Sequence, residues 1–109
     1  LLYPVLWSAE TLHAVPVSWA NAVDVTPRLD PGALLVVHVE RDPIVPRAHA
    51  DRLADSAPRA KLWVVPAPPA DDPVVAAAGP WGTHGRAYLL QPKAFVDRVT
   101  AHLAARARR

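Results

Sequence analysis

The apolar positions of the chain follow two rhythms. Residues 33–39, Ala-Leu-Leu-Val-Val-His-Val, form an almost unbroken apolar run behind Pro31-Gly32. The run is too short for a typical helix and β-branched towards its end. That is the pattern of a strand buried on both faces, as in a parallel sheet. It gives way to the polar stretch Glu40-Arg41-Asp42-Pro43. Pro46 then suits the first turn of a helix. Behind it Ala50, Leu53, Ala54 and Ala57 recur at i, i+3, i+4 and i+7 as one apolar stripe, with Arg47 and Asp51 four apart on the other side. Pro58 stops this helix, and residues 61–66, Lys-Leu-Trp-Val-Val-Pro, read as a second strand. Residues 67–83 are a long loop rich in Ala, Pro and Gly, with a turn of helix at 74–78. Pro92 opens a last helix that runs to about Ala105, with Phe95, Val96, Val99 and Leu103 inward and Lys93 and Asp97 as an exposed pair. Before residue 32 the rhythm is lost. Residues 7–15 suit a short helix with Ser8 as its cap, and Pro16, Pro27 and Pro31 interrupt what surrounds them.

Strand, loop, helix, strand, loop, helix is the βαβ order of a parallel α/β sheet. Two strands apolar on both faces do not complete such a sheet, because each face and edge needs further strands and helices. The expectation is a single α/β unit that forms the C-terminal part of a larger domain, with the front half of that domain missing. The 109 residues contain no Met, which agrees with that expectation.

Composition narrows the class further. There is no Cys, so neither a disulfide framework nor a thiolate zinc site is available. The net charge is only +2, and the basic excess gathers in Arg106-Ala107-Arg108-Arg109. With no basic stripe and no interleaved aromatics elsewhere, nucleic acid is not an expected partner. No run approaches the roughly 18 apolar residues of a membrane span. Residues 1–7 are apolar but short and without a basic flank, unlike a signal peptide. The 13 prolines are scattered between periodic segments and act as punctuation, not as a polyproline tract.

Candidate chemistry lies where an open α/β sheet places it, beyond the carboxyl ends of the strands. The first strand leads into Glu40-Arg41-Asp42, and the loop after the second ends in Trp81-Gly82-Thr83-His84-Gly85. An acid after one strand and a His after the next follow the chain order of a serine-hydrolase triad on this fold. At these residues the sequence resembles the α/β-hydrolase family. Residues 36–46, Val-Val-His-Val-Glu-Arg-Asp-Pro-Ile-Val-Pro, look like that family's strand and acid loop. Residues 61–66 look like its last strand, and His84-Gly85-Arg86-Ala87-Tyr88 followed by the helix from Pro92 look like its catalytic His and closing helix. The likeness covers residues 32–109 and is greatest for lysophospholipase-like and serine aminopeptidase-like members.

The resemblance implies that Asp42 orients an imidazole and stabilises its charged form, and that His84 is the general base and then the general acid. It implies a serine hydrolase acting on a small-molecule carboxylic ester or amide, without cofactor or metal. The nucleophile would be a Ser on a Gly-x-Ser-x-Gly elbow upstream. The three serines here, Ser8, Ser18 and Ser56, have no flanking glycines. The chain would therefore supply acid and base, with nucleophile and oxyanion hole in the missing front.

Plainer readings stand beside these. Asp42 before Pro43 also suits a turn that caps the next helix, and His84 a surface loop. Asp71-Asp72 is an alternative acid. His38, Glu40 and Asp42 alternate as metal ligands sometimes do. His38 reads as structural, and His13, His49 and His102 have no evident partner. Trp63 reads as core and Trp81 as a pocket wall or a plug. The alternative function is a non-catalytic scaffold that keeps the sheet and lacks the elbow. A nucleotide-binding half would need a Gly-rich phosphate cradle, which Gly32, Gly79, Gly82 and Gly85 do not form.

Overall fold

Prolines and glycines divide the chain into short elements, and the computed structural model describes residues 22–108 of them. The expected helix at 7–15 lies outside the described residues. Helix α1 (Ala22–Val25) runs into a 3₁₀ turn, Thr26–Arg28. Strand β1 is Leu35–Val39, helix α2 is Arg47–Ser56, and strand β2 is Lys61–Val65. Helix α3 (Pro73–Ala78) continues into a 3₁₀ turn, Gly79–Trp81. Helix α4 is Ala87–Leu90 and helix α5 is Pro92–Ala107. The protein is thus mixed α/β, with a two-stranded parallel sheet among the described residues.

The strands pair in register from Leu35 opposite Lys61 to Val39 opposite Val65. Alternation along each strand then sorts the side chains onto two faces. Val39, Trp63 and Val65 form the core of one face with Ala87, and Val37, Leu90, Ala94 and Phe95 pack around them. Phe95 lies 6.5 Å from Trp63 and edge-on to Tyr88 at 5.6 Å, and the Arg98 guanidinium sits 4.7 Å over the Trp63 ring. Trp63 is therefore a core residue. Helix α2 covers the opposite face, its buried Ala50 against the sheet that carries Val36 and His38. Arg47 and Asp51 pair on its outer side at 3.0 Å.

Several boundaries differ from the sequence reading. The apolar run starts at Ala33, but β1 starts two residues later. Gly32 N–H donates to Pro58 O at 2.9 Å and Ala33 N–H to Asp30 O at 3.0 Å, so these residues belong to a turn. Gly32 takes φ +77° there, a conformation that costs glycine little. Helix α4 was not anticipated. The proline at 92 disfavours helical geometry at Gln91, which takes φ −136° and ψ 64°, and so splits 87–107 into two helices.

The inward stripe expected on α5 is corrected. Phe95 and Val99 are half-buried, but Val96 is 49% and Leu103 61% exposed. The helix touches the sheet through one edge of its stripe only. Its second half is tied instead to the turn before β1. His102 Nε2 donates to Ala33 O at 3.0 Å, and Arg106 donates to Pro31 O at 3.2 Å. His102 thus has a backbone partner that its sequence position did not suggest. None of the helices is long and apolar enough to cross a membrane, among the described residues.

Candidate active site

Strands β1 and β2 run parallel, so the loops that leave them emerge at one end of the sheet. The first loop turns at once. Arg41 takes φ +60°, an uncommon conformation for a residue with a Cβ, and Asp42 follows. One carboxylate oxygen of Asp42, Oδ1, accepts the N–H groups of Ile44 at 2.7 Å and Val45 at 2.9 Å. This is the side-chain turn that Asp before Pro favours. The other oxygen, Oδ2, meets His84 Nδ1 at 2.8 Å. The structure therefore brings Asp42 and His84, 42 positions apart in sequence, into direct contact.

The Asp42 side chain is 6% exposed and that of His84 35%. Burial opposes the charge on Asp42. The Val45 N–H, the His84 ring and the Ile44 N–H hydrogen-bond the carboxylate, and a positive charge on His84 attracts it. Together they outweigh the burial and hold the Asp42 pKa below the ordinary aspartate value. An ionised Asp42 at Nδ1 selects the tautomer that carries its proton there and leaves Nε2 as the basic nitrogen.

The second loop is shaped to deliver His84. Its N–H donates to Trp81 O at 2.9 Å, and Arg86 donates to its carbonyl at 3.1 Å. Gly82 takes φ +54°, and a Cβ there would stand 3.2 Å from two ring carbons of Pro43. That close approach seats the second loop on the first. Thr83 was not singled out by the sequence, yet it is buried and its hydroxyl donates to Glu40 O at 2.9 Å. A lone Thr in a glycine-rich loop carries no local signal of such a contact. Glu40 is itself held by the sheet, its N–H donating to Val65 O at 2.9 Å.

A cavity of about 290 Å³ adjoins the pair. Four successive residues of β1, from Val36 to Val39, line it. Successive strand side chains point to opposite faces, so a cavity that touches all four lies along the strand's edge. That edge is the one turned away from β2. His49, Ala50 and Leu53 of α2 also line the cavity, as do Gly85, Ala87 and the Asp42–His84 pair.

The remaining candidates fall elsewhere. Asp72 Oδ1 accepts the Val74 N–H at 2.9 Å and caps α3, so the acid beside His84 is Asp42 and not Asp71 or Asp72. Glu40 Oε2 accepts from Ala67 N–H, and among the described residues no three His, Asp or Glu side chains gather as a ligand set. His38 is buried in β1 and lines the cavity. Trp81 is 51% exposed, its ring 5.9 Å from that of His84. Ser56 ends α2, which returns to the far end of the sheet, and its hydroxyl is engaged by Leu53 O and Thr26 Oγ1. Ser8 and Ser18 lie outside the described residues. The site pairs a carboxylate with an imidazole, and no described serine stands beside them.

No family model matches the chain, and no curated protein or solved structure matches it either.

Proposed function

We propose that this chain carries the acid and base of a serine hydrolase of the α/β-hydrolase type, which acts on a carboxylic ester or amide. One observation carries the reading. Asp42 and His84 follow successive parallel strands, meet at 2.8 Å through Nδ1, and open on a cavity along the free edge of β1. A nucleophile from outside the described residues would have to reach the Nε2 side of His84, next to the cavity that Asp42 and His84 line.

In the proposed reaction His84 Nε2 takes the proton of the serine hydroxyl as its oxygen bonds to the substrate carbonyl carbon. Asp42, kept ionised by its backbone donors, stabilises the imidazolium that results. The bond from carbon to the leaving oxygen or nitrogen then breaks, and His84 returns the proton to that atom. Water repeats the sequence on the acyl-enzyme and releases the acid.

The test uses the longest natural protein that contains this chain. A serine-reactive fluorophosphonate should label it at a serine outside residues 22–108. His84→Ala should lower turnover of an aryl ester by about 10³-fold or more, the scale on which loss of a general base acts. No labelling, or parental turnover in His84→Ala, overturns the reading and leaves a scaffold without catalysis.

A further inference from the structure

Asp42 and His84 are delivered by separate loops, and a pair that meets through one 2.8 Å contact depends on how those loops are held together. The bonds at the His84 backbone do not do this. Its N–H reaches Trp81 O and its carbonyl receives Arg86, both from the same stretch of chain. They shape the loop without placing it against Asp42. The contact of Gly82 with Pro43 crosses between the loops, but it limits their approach and does not direct it.

The polar link next to the pair is made by Thr83. It is 4% exposed, precedes His84 by one residue, and donates to the carbonyl of Glu40, two residues before Asp42. Glu40 is anchored in turn by its N–H on Val65 O, at the end of β2. A chain of directional contacts therefore runs from the sheet through Glu40 and Thr83 to the His84 backbone. We propose that Thr83 is a positioning residue: its buried hydroxyl sets the height and direction of His84 against Asp42. This rests on the reading of Asp42 and His84 as a working pair. It assigns Thr83 no proton transfer, since its hydroxyl proton is committed to Glu40 O.

The experiment is nuclear magnetic resonance on the full chain, following the His84 Nδ1 proton and the Asp42 carboxyl carbon through an acid titration. In the parent the Nδ1 proton should appear far downfield, with Asp42 titrating below the ordinary aspartate range. Thr83→Val keeps the shape and removes the donor. It should broaden the Nδ1 proton beyond detection and move the Asp42 midpoint up towards the ordinary value. Thr83→Ser should restore both. A thermal midpoint measured on each variant separates loss of the pair from loss of the fold. If Thr83→Val keeps the parental Nδ1 signal and Asp42 midpoint, the positioning role is overturned and the pair stands. If the parent itself shows no such proton, the pair and the functional reading fall together. Should Thr83→Val not fold, Thr83→Ala is read in the same way. If both unfold, Thr83 serves the fold as a whole and the positioning role is overturned.

Discussion

Two of the chain's three Asp-Pro steps, Asp42-Pro43 and Asp72-Pro73, behave alike locally. In each, Oδ1 accepts the N–H two residues on, from Ile44 at 2.7 Å and from Val74 at 2.9 Å. Beyond that they diverge. Asp72 lies in the loop after β2, and its turn starts α3, with Ala76 N–H donating back to Asp72 O at 2.9 Å. Asp42 lies just beyond β1, gains a second donor in Val45, and turns Oδ2 to His84. At these two steps the Asp side chain closes a turn and satisfies one carboxylate oxygen, whereas at Asp30-Pro31 the N–H two residues on, that of Gly32, goes to Pro58 O instead. What the second oxygen does depends on which loop the sheet sets beside it.

That comparison can be tested by removing each carboxylate. Asp42→Ala should cost about 2–3 kcal/mol in denaturant unfolding, because Ile44 and Val45 N–H and the His84 ring lose a charged acceptor in a buried place. A cost no larger than that of the Asp72 variant would erase the distinction. Acid sharpens it. A folded-state pKa held below the unfolded one contributes stability that is fully present above the ordinary aspartate pKa of about 3.9. That stability is lost as pH falls through the lower, folded-state value. The parent should therefore weaken below about pH 4 more steeply than Asp42→Ala, as followed by unfolding midpoints across the acid range.

Gly82→Ala should come next, at about 1–2 kcal/mol, from a Cβ at positive φ and its encounter with Pro43. It should also weaken the downfield Nδ1 signal of His84. A parental thermal midpoint would show that the loops do not rest on each other there. Asp72→Ala should have the smallest effect, about 1 kcal/mol for a lost helix cap, with the His84 signals unchanged. Any change at His84 would mean that α3 is coupled to the pair.

Much of the fold was legible because its signals are local. Both strands, α2, α3 and α5 follow from apolar period and proline position, and their ends moved by a few residues only. Helix α4 was not legible, since four residues are fewer than a helical stripe needs to declare itself. The apolar period of α5 predicts a uniformly inward stripe, but period gives a face without saying what covers it. Val96 and Leu103 are apolar by pattern and exposed in the structure.

The site divides in the same way. By itself the sequence determined two parallel strands, an acid after the first and a His after the second, because strand period and proline punctuation act over a few residues. It left Asp42, Asp71 and Asp72 as competing acids and gave Thr83 no distinction. The tertiary structure alone decided that His84 meets Asp42 while Asp72 caps a helix, and that Thr83 and Gly82 join the two loops. Those outcomes depend on parallel pairing of β1 with β2, which sets residues about 40 positions apart within hydrogen-bonding distance. No local pattern encodes that distance.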